Sequence, residues 1–277
     1  MELEQKYKDL QQRLTELGRV IVAYSGGVDS TFLLKAAVET LGTEKVLAII
    51  GVSPSLSTAQ HEQAAQWAEL IGVELVEASV LELEDERYTA NKADRCFHCK
   101  SHLYTLLAQV GVKRGFNKIV CGSNYDDQDD FRPGNRAAIK LGVHSPMMDA
   151  QLTKPDIRQL SRQYGLPTAD LPASPCLASR MTYGLEVTVE RLKQVEQAEA
   201  FLKDLGLIEL RVRHHDAVAR IEVHPNDFAR VTEDETRQRI LDAFKEIGFK
   251  FVALDLQGFR SGSLNEALST ELKDKHR

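Results

Sequence analysis

The chain of 277 residues has no apolar run that approaches the ~20 residues needed to span a bilayer. Its first residues are polar and follow a helical pattern, unlike those of a signal peptide. It has four cysteines, too few for a disulfide scaffold. These absences predict a cytoplasmic protein without a membrane partner, whose cysteines are metal ligands, catalytic groups or core side chains.

An excess of positive charge is also missing. The formal net charge is −6, whereas proteins that bind nucleic acids use lysine and arginine to neutralise phosphates. The charge therefore favours a small molecule over a nucleic acid as the partner. The remaining composition, 43% apolar and 27% charged, is typical of a globular protein, and the length allows two modest domains.

A further absence marks the most informative stretch, the loop Ser25–Thr31, which has no lysine and is called the glycine loop below. Apolar residues before it predict a strand, and the pattern after it predicts a helix. Two glycines and free amides at the start of a helix form an anion site. A nucleotide-binding P-loop has a lysine just before its Ser or Thr, but here Asp29 occupies that region. An acid beside an anion site suggests Mg²⁺ bound to a polyphosphate.

The string S-G-G-V-D-S-T resembles the pyrophosphate loop, or PP-loop, of the ATP pyrophosphatases. These enzymes cleave ATP between its α and β phosphates and transfer AMP to an oxygen of the substrate. The resemblance implies a catalytic role and Mg²⁺ ligation for Asp29. A plain glycine turn with a helix-capping Ser or Asp is the alternative interpretation. The residues implied to bind ATP in this loop are Ser25, Gly26, Gly27, Asp29, Ser30 and Thr31.

Strands and helices alternate up to Gly122. This alternation predicts an α/β fold with a parallel sheet and helices on both faces, as in the adenine nucleotide α-hydrolase-like PP-loop domains. Ligands of such sheets bind at the carboxyl ends of the strands. Val52 is therefore expected beside the adenine, and Gly122 beside the ribose or the activated substrate. The predicted strands are 19–24, 45–51, 73–79 and 117–122.

Four acids lie within Asp126–Asp130, shortly before an Arg-Pro-Gly tripeptide that begins at Arg132. The segment is either a solvated loop or one wall of a substrate or metal site, in which Asp126 and Arg132 contact the substrate. A short strand is predicted near 143–147. The helix that follows is capped by Thr153 and is assigned no chemical role.

Three prolines between residues 167 and 175 stiffen a loop that leads to Cys176. A domain boundary is predicted near residue 185. It divides the chain into a PP-loop domain, 1–185, and a small α+β domain, 186–277, for substrate binding or oligomerisation; a homo-oligomer is expected. The elements predicted in the second domain are a helix at 188–204, strands at 208–214 and 217–223, a helix at 225–247 and a strand at 249–256.

Cys96 and Cys99 form a C-x-x-C motif at the start of a predicted helix, where amides and the helix dipole stabilise thiolates. Together with Cys176 they would suit a [4Fe–4S] cluster with one open iron. Structural zinc completed by His98 or His102, or a redox pair with Cys176 as a lone nucleophile or persulfide, are alternatives that stay open. Cys121 ends an apolar strand and is interpreted as a small buried side chain.

Several arginines lie close together in the sequence of the predicted second domain. Arg211 and Arg213 alternate along one strand and so share a face, and Arg220 follows on the next strand. These arginines form either an anion clamp or surface ion pairs with neighbouring glutamates. Arg260 lies in a glycine-bracketed loop that could add a phosphate contact. Glu199 is a weaker candidate for a polar role, and a solvated helix face is the favoured interpretation.

Together these motifs resemble the LarE family, ATP-dependent sulfur transferases that build the nickel-pincer nucleotide cofactor of lactate racemase. The resemblance implies that a carboxylate of pyridinium-3,5-biscarboxylic acid mononucleotide is adenylated, that pyrophosphate leaves, and that sulfur displaces AMP to give a thiocarboxylate, twice. The features that carry it are the glycine loop, Asp126–Gly134, Cys176–Arg180, Arg211–Arg213 with Ala219–Glu222, and Gly258–Gly262.

The family also implies how the sulfur is delivered. Members with one cysteine give up the sulfur of the residue that matches Cys176, whereas members with three cysteines resemble cluster-dependent thiolases. The C-x-x-C motif favours a [4Fe–4S] cluster on Cys96, Cys99 and Cys176. A tRNA thiolase, an amide-forming synthetase and a non-catalytic nucleotide-binding module are the alternatives. The residues implied to bind the substrate are Asp126, Arg132, Ser179, Arg180, Arg211, Arg213 and Arg260.

Overall fold

A computed structural model divides the chain into two compact units. Unit 1 comprises Met1–Glu82 and Cys96–Ser174, and unit 2 comprises Leu83–Arg95 and Pro175–Lys275. The domain boundary near residue 185 stays a prediction; the units themselves divide earlier in the chain. The residues described by the structure are 2–128, 133–172, 175–260 and 262–272.

Both units contain helices and strands, which are numbered here in chain order. Within the described residues, no helix has both the length and the apolar character needed to cross a membrane. The elements are α1 (Leu3–Leu17), β1 (Val20–Tyr24), α2 (Val28–Leu41), β2 (Val46–Val52), α3 (Thr58–Ile71), β3 (Leu75–Ser79), α4 (Glu86–Thr89), α5 (Arg95–Lys113), β4 (Lys118–Cys121), α6 (Pro133–Lys140), α7 (Pro146–Asp149), α8 (Lys154–Gln163), α9 (Val189–Asp204), β5 (Leu210–His215), β6 (Val218–Val223), α10 (Phe228–Thr232), α11 (Asp234–Ile247) and β7 (Phe251–Leu254).

The sheet of unit 1 has the strand order β3-β2-β1-β4, and all neighbouring strands are parallel. β1 is apolar throughout because helices cover both faces of the sheet. Val20 and Val22 pack with α1, α2 and α8 on one face, and Ile21 packs with α5 and α6 on the other. The predicted α/β fold is therefore confirmed.

The sheet of unit 2 has the strand order β5-β6-β7. β5 and β6 form an antiparallel hairpin, and β7 returns parallel to β6 after α10 and α11. Leu210, Val212 and Ile221 belong to a core shared with α9 and α11, so the alternating residues Arg211 and Arg213 face the other way. A small α+β architecture in the C-terminal part is confirmed.

The strand predicted near 143–147 is wrong. His144 forms an isolated bridge with β4, and the chain enters α7 at Pro146. Proline has no amide hydrogen and has a φ that suits the first helical position, so it begins this short helix instead of extending a strand. The predicted cap at Thr153 is confirmed, since its hydroxyl accepts from the N–H of Asp156.

The single helix predicted at 225–247 is also wrong. A 3-10 turn and α10 precede α11, and the chain breaks at Glu233, whose backbone is not helical. The Glu233 carboxylate accepts from the N–H groups of Glu235 and Thr236. Glu233 therefore ends one helix and caps the next.

One buried histidine of unit 2 predicts a pH dependence of stability. Burial and the charge of Arg191 lower the pKa of His214 from 6.5 to about 4, and its Nε2 is 2.9 Å from Gln194 Oε1. Protonation therefore favours the unfolded chain, and stability is full above pH 6.5 and falls toward pH 4. His214→Gln should flatten the pH dependence of the free energy of unfolding over that window, measured by urea denaturation. His224→Gln, at an exposed position, should leave the slope unchanged; equal slopes in the wild type and His214→Gln would contradict this account.

Candidate active site

The glycine loop turns directly from β1 into α2, which begins with Gly27 as its N-cap residue. Gly26 has a φ of +72°, and a Cβ there would lie 2.6 Å from Ala64 Cβ of α3. A larger residue would therefore displace α3. Gly27 has a φ of −77°, and a Cβ there would meet Ser25 Oγ at an ordinary 3.6 Å. The protein around position 27 would therefore accept a side chain. With glycine there, this space stays open, and an anion can approach the backbone closely.

Hydroxyl groups brace the loop from inside. Ser30 Oγ accepts from the N–H of Ser25 at 3.2 Å, lies 3.0 Å from Ser25 Oγ and donates to Gly27 O at 3.2 Å. Thr31 is fully buried, and its hydroxyl donates to Tyr24 Oη at 3.4 Å. Among the hydroxyls predicted to bind ATP, the structure thus places that of Thr31 in the core, whereas Ser25 is exposed.

Helix α3 supports the loop from behind. Gln60 Nε2 donates to Ser25 O at 3.0 Å, and Ala64 O accepts from Tyr24 Oη at 3.2 Å. These bonds fix the carbonyl of Ser25 and the hydroxyl of Tyr24, which lie where β1 leads into the turn. The amides at the start of α2 are therefore held in one direction, toward the carboxyl edge of the sheet.

The other predicted nucleotide contacts lie at neighbouring strand ends. A Cβ on Gly122, directly after β4, would lie 3.0 Å from Ser30 N, so this strand closely approaches the start of α2. Val52 ends β2, which pairs with β1, and its carbonyl accepts from Val80 N–H at 3.0 Å. The sheet thus brings both residues to the edge where the glycine loop lies, and their roles in binding ATP stay predictions.

The structure adds a lysine that sequence reasoning missed. Lys154 Nζ lies 2.6 Å from Asp29 Oδ2, and the N–H of Lys154 donates to Asp126 Oδ2 at 2.7 Å. Asp29 Oδ1 is buried and has no hydrogen-bond partner among the described residues. The only signal in the sequence was the position of Lys154 at the start of a capped helix, which says nothing about Asp29. Arg132, predicted to act beside Asp126, lies outside the described residues.

None of the four cysteines, all within the described residues, forms a disulfide. Cys96, which is exposed, and Cys99, which is half-buried, lie at the start of α5 in unit 1; the half-buried Cys176 belongs to unit 2. Cys121 is buried near hydroxyl groups of the chain, which confirms its predicted environment. Within the described residues, no group of three or more His, Cys, Asp or Glu side chains is arranged to hold a metal, so the cluster stays a hypothesis.

Two of the arginines predicted to bind the substrate, Arg180 and Arg213, form buried ion pairs. Arg180 forms a two-point pair with Glu199, with distances of 2.8 and 3.0 Å. Glu199 is 4% exposed, so its interpretation as part of a solvated helix face is wrong; the pairing with Arg180 is what allows its burial. Arg213 donates to Glu222 at 2.9 Å and to Ser263 Oγ at 2.9 Å.

Arg211 differs from these two arginines. Its guanidinium lies 5.1 Å from the centre of the Phe259 ring. Burial, followed by the like charge of Arg180, lowers the pKa of Arg211 to about 10. A half-buried cation next to another cation favours an anion on this face of the sheet. At the edge of the same unit, Glu266 raises the pKa of Arg260 above its ordinary value by a hydrogen bond.

Comparison with known proteins agrees with this geometry. Residues 1–131 match the family model of the PP-loop domain. The pyridinium-3,5-bisthiocarboxylic acid mononucleotide synthase of Lactiplantibacillus plantarum is 33% identical over 96% of this chain and 96% of its own length. An uncharacterised protein of Synechocystis is 42% identical over 96% of this chain and 99% of its own length.

A more distant relative matches part of the chain. The NH₃-dependent NAD⁺ synthetase of Methanococcoides burtonii is 24% identical over 58% of this chain and 62% of its own length. The loop between β1 and α2, the parallel sheet that presents it and the near full-length similarity to the Lactiplantibacillus protein lead to one assignment. The chain belongs to the LarE family of PP-loop sulfur transferases.

Proposed function

We propose that this protein adenylates the carboxylates of pyridinium-3,5-biscarboxylic acid mononucleotide with ATP, releases pyrophosphate and converts the carboxylates to thiocarboxylates for a nickel-pincer cofactor. The proposal takes its substrate from the name of the Lactiplantibacillus relative. The observation that best supports ATP chemistry is the ion pair between Lys154 Nζ and Asp29 Oδ2, which are 2.6 Å apart. This pair belongs to the same loop as Gly27, whose Cα has open space around it.

A carboxylate reacts poorly with sulfur because its leaving group would be oxide. Transfer of AMP to the carboxylate provides a stable leaving group, and pyrophosphate departs from ATP in the same step. The amides of the glycine loop and the positive end of α2 bind the departing anion. Lys154 adds an ammonium group, which replaces the lysine that the loop itself lacks.

The loop also fits a magnesium ion. Asp29 Oδ1 is buried without a partner among the described residues, and carboxylate oxygen is the ligand that Mg²⁺ prefers. Asp29 would therefore hold the ion, which when bound neutralises charge on the polyphosphate. Lys154 Nζ contacts the other carboxylate oxygen, Oδ2, so the lysine and the ion would use different oxygens of Asp29.

Sulfur delivery is assigned to Cys96, Cys99 and Cys176. Arg95, which directly precedes Cys96, donates to Ala178 O at 2.8 Å, and Ala178 lies two positions after Cys176. Both residues of that hydrogen bond belong to unit 2. Three cysteine thiols are the donor set of a [4Fe–4S] cluster with an open iron, which when present would supply sulfur. A sacrificial Cys176 is the alternative.

Substrate recognition is assigned to the outer face of the sheet in unit 2. Arg211 and Arg260 would contact the substrate phosphate. Arg180 and Arg213 donate to buried glutamates and would support this face from within the unit. Ser179 donates to the carbonyl of Cys176 at 2.7 Å, so its hydroxyl acts on the loop. The acidic overall charge supports a small nucleotide as substrate, and homo-oligomer formation stays a prediction.

Lys154 is expected to stabilise the departing pyrophosphate. Lys154→Met should lower the rate of pyrophosphate release by about a hundredfold, the effect of removing one donor from an oxyanion site. The measurement is pyrophosphate release with ATP, Mg²⁺ and substrate at saturation. Lys35→Met, on α2 and paired with Glu39, is the matched control and should retain the wild-type rate. Wild-type release by Lys154→Met would exclude the lysine from the reaction.

The thiols of Cys96, Cys99 and Cys176 are expected to serve sulfur transfer and not adenylation. Cys96→Ala, Cys99→Ala and Cys176→Ala should each lose iron and thiolation but retain pyrophosphate release, because adenylation uses the glycine loop. The protein is purified without oxygen, iron and labile sulfide are assayed, and the intact chain is weighed before and after turnover. The buried Cys121→Ser variant is the control and should retain its iron.

The masses distinguish the two routes for sulfur. An unchanged mass with bound iron supports the cluster, whereas loss of one sulfur at Cys176 supports the sacrificial route. Normal thiolation by Cys96→Ala and Cys99→Ala would show that three ligands are not needed.

A further inference from the structure

Buried charges surround the loop that carries Cys176. Arg180 exposes 3% of its side chain and Glu199 exposes 5%. Their two-point pair joins Nε to Oε1 at 2.8 Å and Nη2 to Oε2 at 3.0 Å. Glu199 Oε1 also accepts from the N–H of Val212 at 3.1 Å. The pair is thereby attached to both α9 and β5, two rigid elements of unit 2.

The remaining donors of Arg180 hold the cysteine loop. Nη1 donates to the carbonyl oxygens of Pro175 and Cys176, the latter at 3.1 Å, and to Ser179 Oγ at 3.0 Å. Ser179 in turn donates to the carbonyl of Cys176 through Oγ at 2.7 Å and through its N–H at 3.0 Å. The backbone on both sides of the thiol is therefore fixed by one guanidinium and its neighbour.

We propose that Arg180 and Glu199 are positioning residues that hold the thiol of Cys176 in one orientation for sulfur transfer, an inference that rests on the proposed function. A buried ion pair is often no more stabilising than apolar side chains of similar volume, so folding alone does not explain it. A guanidinium can bind a carboxylate at two points and still donate to carbonyl groups, which no other side chain does. Reaction rates fall steeply when a reacting group is misplaced by about 1 Å.

The test measures the reactivity of Cys176 itself. The full chain is treated with iodoacetamide at fixed pH, and mass spectrometry follows alkylation of the peptide that contains Cys176. Glu199→Gln retains the shape and the acceptor for Val212 but removes the charge; Arg180→Lys retains the charge but loses the two-point pair. Both variants should alkylate Cys176 roughly tenfold faster, because the loop leaves its half-buried position. The kcat of thiolation should fall by a similar factor with no change in the KM for ATP.

The control is Arg191→Lys, on the same helix and paired with the exposed Asp216, which should match the wild type. Equal alkylation in the wild type and a folded Glu199→Gln variant would overturn the inference, as would the same increase in the control. If Arg180→Lys does not fold, Ser179→Ala removes one donor to the Cys176 carbonyl without touching the ion pair and should also speed alkylation.

Alkylation needs neither ATP nor substrate. Faster alkylation of the variants therefore supports the positioning role even if the wild type fails to thiolate the proposed substrate, which would reject the proposed function alone. Lost thiolation with unchanged alkylation would reject the positioning role and leave the proposed function standing.

Discussion

The close packing of α3 against the turn between β1 and α2 is the constraint on which the candidate active site depends. Gly26 has no side chain because Ala64 occupies the space that a Cβ would take. The turn is consequently tight enough for the first amides of α2 to face the carboxyl edge of the sheet. Anion affinity then comes from the backbone and the helix dipole, whereas Asp29 and Lys154 largely neutralise one another.

Unit 2 uses charge in a different way. One face of its sheet belongs to an apolar core, and the other has arginines that pair with buried glutamates. Glu222, fully buried, accepts from Arg213, Arg220 and Ser263. Arg213 lies on β5 and Arg220 lies on β6 with Glu222 itself, whereas the bond from Ser263 attaches the segment after β7 to the sheet. Charged side chains thus hold the segments at Cys176 and Ser263 in place in unit 2, whereas in unit 1 backbone amides form most of the candidate site.

Local signals in the sequence were sufficient for the framework. Apolar runs before glycine predicted the strands of unit 1, and Thr153 was recognisable as a cap because a cap depends on residues three positions away. Helix α7 was missed because one proline at its start outweighed a β-like pattern. The break at Glu233 was missed because the carboxylate caps α11 through bonds that a periodicity does not show.

Long-range pairs could not be predicted from the sequence. Lys154 and Asp29 are 125 positions apart, and neither residue has a neighbour that indicates the other. Glu199 lies at the helical spacing of the buried residues Val195 and Leu202, but its charge favoured a surface interpretation, and its distant partner Arg180 is not indicated by any local pattern. Leu83–Arg95 belongs to unit 2 although residues of unit 1 flank it in sequence. Asn91 attaches it by donating to the carbonyls of Thr182 and Leu185, partners about 90 positions away that no local pattern indicates.

The support of the glycine loop by α3 has a consequence for the order of folding. The hydrogen bonds that join the glycine loop and β1 to Gln60 and Ala64 span 35 and 40 positions in the sequence. The turn between β1 and α2 therefore cannot take its final shape from neighbouring residues alone. Contacts of this separation require closure of a long segment first. The shape of the glycine loop therefore depends on α3 as well as on β1 and α2, and ATP that binds only this completed unit would stabilise it by mass action.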